Sequence, residues 1–292
     1  MIIFHIKEAW IVFLVLAAIN GKVLAQNPNF HIYICFGQSN MEGQGPIENK
    51  DLQANLRFKT FQALDCPNLG RIKYRWYVAV PPTCQCYSKL SIADYFGKTM
   101  IANLPDSISI GIINVSVGGC DIRLFDKDIY HQYDSTYTES WFTSKIQLYN
   151  GNPYQYIIDL ARMAQKDGVI KGILLHQGET NTGQEMWPSY VKKIYFDMLA
   201  DLSLKASEVP LLAGEVLSVP GSCCSAMNEI IWRLRDSIAT AHVISSAGCR
   251  GMDNAHFDSE GYRELGRRYA MKMLSLMSVN KPTPTPVNRR RK

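Results

Sequence analysis

The chain has 292 residues with 31 basic and 26 acidic side chains, a formal net charge of +5. The positive charge sits at the ends: without residues 1–25 and 281–292, 24 basic and 25 acidic residues remain. A nearly neutral body excludes the broad basic face of a nucleic-acid-binding domain, and its length, about 255 residues, suits one large α/β domain.

Ala9 to Ile19 is an apolar run of roughly a dozen residues, too short to cross a ~30 Å hydrocarbon core as a helix. It leads to Val23-Leu24-Ala25, the small or neutral residues that a signal peptidase reads. Residues 1–25 are therefore expected to be a signal peptide cleaved after Ala25, giving a secreted or periplasmic protein with no membrane association afterwards. Gln26 rather than a cysteine follows the cut, which argues against a lipoprotein.

His31 to Phe36 is a β-rich run ending at Gly37 and is expected to be a first buried strand. Residues 50–88 show no clear period and are expected to run over the top of a sheet. Ser91 to Asn103 carries apolar residues at helical spacing, and Ser107 to Val115 is a second strand stopping before Gly118-Gly119. Tyr154 to Gln165 is a helix, Val169 to Leu175 a third strand, Trp187 to Leu204 a helix and Val209 to Val216 a fourth strand. Met227 to Ala241 is a helix, His242 to Ser245 a fifth strand and Ser259 to Met277 a closing helix with Ser259 as N-cap. Lys281 to Lys292 (KPTPTPVNRRRK) is a Pro-Thr tail or linker with a basic end, behind which an appended module is possible. The domain is thus expected over residues 26–280. Strands alternating with helices predict a parallel sheet of about five strands covered on both faces.

Eight cysteines follow the leader, and export favours disulfides. Cys66 with Cys84 or Cys86 would close a loop in the irregular stretch, and Cys223 or Cys224 with Cys249 is expected as a second bridge. Cys35, inside a strand, is expected to be a buried thiol. Cys84-Gln85-Cys86 lacks the usual zinc-ligand spacing, and no metal or cofactor is expected.

In parallel sheets, ligands sit beyond the carboxyl ends of the strands. Ser39 follows strand one, Gly118-Gly119 strand two, His176-Gln177-Gly178-Glu179 strand three, and Asp253-Asn254-Ala255-His256 strand five. A serine hydroxyl needs a base to become a nucleophile. His256 can serve, and Asp253, three residues earlier, can hold its Nδ1–H. Oxyanion donors are available from the N–H of Ser39, the N–H of Gly118 or Gly119, and the side-chain amide of Gln177. Gln38 and Asn40 flank the nucleophile and are expected to face substrate. Trp141 and Tyr137, and Trp187 and Tyr190, either stack on sugar rings or pack in the core. Arg123 either meets a substrate carboxylate or pairs with Asp121 or Asp126.

Phe36-Gly37-Gln38-Ser39-Asn40-Met41-Glu42-Gly43, Val117-Gly118-Gly119, His176-Gln177-Gly178-Glu179 and Asp253-Asn254-Ala255-His256-Phe257 together resemble the SGNH hydrolase superfamily. Within it they resemble the carbohydrate esterase family 6 and sialate O-acetylesterase branch. The resemblance spans residues 31–277 by motif order. It implies a three-layer, flavodoxin-like α/β/α fold and metal-independent removal of acetyl groups from sugars. It further implies Ser39 as nucleophile, His256 as base, and Ser39, Gly118 and Gln177 as the oxyanion hole. Asp253 is the implied orienting acid, with Glu179 as rival or helper. The expected activity is a serine acetylesterase acting on O-acetylated plant polysaccharide such as acetylxylan. O-acetylated sialic acid is the alternative substrate, and a carbohydrate-binding protein without turnover is the alternative class.

Overall fold

The computed structural model describes residues 26–134 and 140–279; the expected signal peptide, the Pro-Thr stretch and Tyr137 lie outside them. Seven strands form one sheet: β1 Asn27–Gly37, β2 Phe58–Phe61, β3 Trp76–Val78, β4 Ser109–Ser116, β5 Gly168–His176, β6 Leu211–Gly214 and β7 Ala241–Ile244. Their order is β3-β2-β4-β1-β5-β6-β7, all parallel except β3, which pairs antiparallel with β2.

The five expected strands are β4, β1, β5, β6 and β7. Their spatial order is the flavodoxin-like 2-1-3-4-5, in which the direction of strand addition reverses at the first strand. The sheet is wider than expected because β2 and β3 extend the β4 edge from within the stretch that shows no sequence period.

β1 is central and buried on both faces, so its side chains divide by alternation. Phe30, Ile32, Ile34 and Phe36 enter one core, while Tyr33 and Cys35 enter the other. The flanking helices are α1 Ser39–Glu42, α2 Ile92–Ala102, α3 Tyr130–Asp134, α4 Ser140–Gln147, α5 Pro153–Ala164, α6 Trp187–Asp201, α7 Met227–Trp232, α8 Leu234–Ser237 and α9 Ser259–Val279. Residues of α4, α5, α6, α7 and α8 cover the first face, and residues of α2 and α9 the second. The single helix expected over 227–241 is two short ones. Helix α9 is fixed by a buried fork: Arg263 Nε and Nη2 donate to Asp51 Oδ1 and Oδ2 at 2.9 and 2.8 Å.

One expected disulfide forms, Cys66–Cys86. The other expectation is corrected: Cys223 bonds its neighbour Cys224, and Cys249 is a buried free thiol. Cys35 is also a buried free thiol.

Candidate active site

The site lies where β1 and β5 end side by side, with Gly37 in register with His176, at the point where strand order reverses. The backbones approach closely there. A Cβ on Gly37 would stand 2.0 Å from the His176 carbonyl oxygen, so only glycine fits. The chain then turns into α1, and the Gln38 N–H donates to that same carbonyl at 3.0 Å. Ser39 is thereby presented at the sheet edge, partly exposed.

Ser39 Oγ is 2.9 Å from His256 Nε2, and His256 Nδ1 is 2.8 Å from Asp253 Oδ2. The other Asp253 oxygen accepts the N–H groups of Ala255 and His256 at 2.8 and 2.6 Å. Partial burial pushes the Asp253 carboxyl up, but the His256 ring and the two backbone donors outweigh it and hold it below the usual carboxylate range. A hydroxyl, an imidazole and an ionised carboxylate in this order can pass a proton from oxygen to ring.

Asn40 ties this chain to the nucleophile turn. Its Nδ2 donates to Glu179 Oε1 at 2.6 Å and to the Ala255 carbonyl at 3.0 Å. Its Oδ1 accepts from the Tyr262 hydroxyl at 2.6 Å and from Phe257 N–H at 3.5 Å. Glu179 thus meets Asn40, while the Asp253 carboxylate meets the His256 ring. Burial raises the Glu179 carboxyl, opposed by the Asn40 bond. His176 is fully buried, which holds its pKa down to about 3 and keeps it neutral; its Nδ1 lies 3.3 Å from the Tyr269 hydroxyl.

Several expected substrate contacts are corrected, because their polar groups serve the protein itself. Gln38 is buried, and its Oε1 accepts from Gln177 Nε2, Gly178 N–H and Thr180 N–H. Asn40 and Trp187 are both 0% exposed, so neither faces a sugar. Trp187 instead donates its indole N–H to Gln177 Oε1 at 2.5 Å. Tyr190 packs against the core beside Arg123. Arg123 forms the expected ion pair with Asp121, Nε to Oδ1 at 2.8 Å and Nη2 to Oδ2 at 2.6 Å. Trp141 is different: it is 52% exposed, and a Cβ on Gly119 would lie 3.1 Å from its ring.

Two expected oxyanion donors are also engaged. The Gly118 N–H donates to Glu42 Oε2 at 2.5 Å. The Gln177 amide faces three acceptors with two hydrogens: Gln38 Oε1 and the Cys120 carbonyl, each at 3.1 Å, and Asn181 Oδ1 at 2.5 Å. The backbone N–H groups of Ser39 and Gly119 have no acceptor among the described residues. Sequence reasoning missed Glu42, although it stands inside the first motif. It is buried and paired with Lys145 of α4 at 2.8 Å, a partner 103 positions away.

Cys86, once in its disulfide, is no metal ligand. Among the described residues no three His, Cys, Asp or Glu side chains are grouped to hold a metal ion, and no helix is long and apolar enough to cross a membrane. A cavity of about 530 Å³ lies at the opposite end of the sheet, lined by His31, Lys171, His242 and Met273 among others, away from Ser39.

Residues 29–275 match the family model described as carbohydrate esterase, sialic acid-specific acetylesterase. The fold is shared with a solved Arabidopsis thaliana protein at 20% identity and a TM-score of 0.65, covering 85% of this chain and 99% of that one. It is shared with NanS at 15% identity and a TM-score of 0.62, covering 87% and 99%. A carbohydrate acetylesterase from Xanthomonas citri is similar at 18% identity and a TM-score of 0.59, covering 85% of this chain and 57% of that one. The chain therefore belongs to the carbohydrate esterase family described as sialic acid-specific acetylesterase, whose members are carboxylic ester hydrolases acting on O-acetylated carbohydrate.

Proposed function

We propose that this protein is an exported serine acetylesterase that removes O-acetyl groups from plant polysaccharide such as acetylated xylan. The observation that carries the mechanism is the unbroken chain from Ser39 Oγ to His256 Nε2 to Asp253, at 2.9 and 2.8 Å. Ser39 attacks the acetyl carbonyl while His256 takes its proton, and Asp253 stabilises the resulting imidazolium. The negative oxygen of the tetrahedral intermediate is held by the N–H groups of Ser39 and Gly119, each worth roughly 3–4 kcal/mol in such a site. The bond from the acetyl carbon to the sugar oxygen then breaks, and the His256 imidazolium protonates that oxygen to give the free sugar hydroxyl. Water, activated by the same imidazole, hydrolyses the acetyl-enzyme and releases acetate.

Two features support a neutral, polymeric substrate. The site is open: the Asp253 side chain is 46% exposed and that of His256 26%, and Trp141 offers an exposed ring beside Gly119. Lys145, whose Nζ would lie 2.8 Å from a Cβ on Gly118, is already paired with Glu42, so a substrate carboxylate would have to compete for it. Export is supported by two disulfides together with the apolar leader over residues 9–19. The second reading, a sialate O-acetylesterase with the same chemistry, is favoured by the family itself, that of the sialic acid-specific acetylesterases. Initial rates on acetylxylan fragments and on 9-O-acetylsialic acid distinguish them. A higher kcat/KM on the fragments is expected; the reverse preference would transfer the assignment to sialic acid.

A further inference from the structure

The Asp253–His256 loop carries half of the proposed machinery yet is little buried: Met252, Asp253 and Asn254 are exposed. Its position therefore depends on hydrogen bonds from outside. Asn40 grips one side, donating to the Ala255 carbonyl at 3.0 Å. The preceding carbonyl, that of Asn254, is gripped from the other side by the backbone N–H of Cys223 at 2.8 Å. Cys223 is disulfide-bonded to Cys224, in the connection between β6 and α7. The same connection supports the loop from below: Leu217 is buried, and a Cβ on Gly251 would meet its Cδ2 at 2.5 Å.

We propose that the Cys223–Cys224 disulfide turn is a positioning element for His256 and Asp253, and that reducing it lowers turnover without unmaking the site. This inference rests on the esterase reading above. A disulfide between adjacent residues closes a small ring through the backbone, leaving the turn few alternatives and keeping the Cys223 N–H aimed at Asn254. Without the ring, the turn samples other conformations and the loop loses one of the two hydrogen bonds that hold its backbone from outside. Misplacement of a catalytic group by about 1 Å costs on the order of a hundredfold in rate. Partial loosening, with Asn40 still in place, is expected to cost about tenfold in kcat. A dithiol reductant performs the step in balance: the S–S bond takes up two electrons and two protons to give two thiols, and the reagent closes to its own cyclic disulfide. Cys223 is exposed, so the reagent reaches it.

The test uses the full protein and 4-nitrophenyl acetate, before and after dithiothreitol, with alkylation and mass spectrometry to establish which thiols are free. The expected result is a roughly tenfold fall in kcat with KM within about twofold, restored when an oxidant re-forms the bond. The Cys223→Ser/Cys224→Ser variant is expected to show the lowered kcat from the outset and no further response to dithiothreitol. Unchanged kcat with residues 223 and 224 alkylated would overturn the proposal. So would a double variant that still loses activity on reduction, which would move the effect to Cys66–Cys86. A folded, oxidised parent with no esterase activity would defeat the esterase reading instead.

Discussion

Replacing Asp253 by Asn probes the site through one proton. Asp253 Oδ1 receives two backbone N–H groups at 2.8 and 2.6 Å, and Oδ2 faces His256 Nδ1 at 2.8 Å. The two backbone donors select the amide oxygen for the first position, which forces the NH₂ group toward Nδ1. The imidazole then carries its proton on Nε2, 2.9 Å from Ser39 Oγ, where it donates to the serine instead of accepting from it. The tautomer effect alone is worth ~10⁴-fold in kcat. Because the Asp253 side chain is 46% exposed, water competes for both groups, and the expected loss is ~10³ to 10⁴-fold, about 4–5 kcal/mol of transition-state stabilisation. Glu179→Gln keeps the oxygen that accepts from Asn40 and removes a carboxyl that burial disfavours, so its loss should stay within about tenfold. The assay is steady-state acetate release at pH 7, with thermal melts showing that both variants fold. Asp253→Asn within tenfold of the parent, or Glu179→Gln as the slower variant, would refute the assignment.

Asn40→Asp would set a new oxygen 2.6 Å from Glu179 and 3.0 Å from the Ala255 carbonyl; a loss of at least ~2 kcal/mol is expected in urea unfolding, with lower kcat. Arg263→Ala leaves Asp51, itself 0% exposed, without its counter-charge and should cost about 3–5 kcal/mol, read as a fall in Tm of roughly 10 °C. Burial pushes the Asp51 carboxyl up, but Arg263 outweighs it and the folded-state pKa lies low. That stabilisation is therefore complete above the unfolded carboxylate value of about 4 and is lost as pH falls through the lower folded one, so the difference between parent and variant should shrink only in strong acid. His176, ordinarily near 6.5, is held down to about 3 in the fold. The unfolded chain thus takes up a proton first, and stability should fall below about pH 6.5 by up to ~1.4 kcal/mol per pH unit. His176→Gln should flatten that slope in urea titrations, and an unchanged slope would contradict it.

The sheet core and the residues around Ser39 were legible because three of the motifs are contiguous strings at the ends of buried strands and the fourth lies in the loop between β7 and α9. β2 and β3 were not, being four and three residues long, with Lys59 inside one and partly exposed side chains throughout the other. Gln38 and Asn40 were misread for a different reason. A polar residue beside a nucleophile looks the same in sequence whether it faces substrate or satisfies a buried neighbour. The pairing of Glu42 with Lys145 depended on how α1 and α4 are brought together across 103 positions, which no local pattern encodes; Cys223–Cys224 was missed because an adjacent pair can equally bond a distant third cysteine.

Acetate release from acetylated xylan by the parent and by Ser39→Ala tests the central claim most directly. The account predicts steady release by the parent and a fall of ~10³-fold or more in a variant with an unchanged melt. Equal release from the two proteins would contradict it.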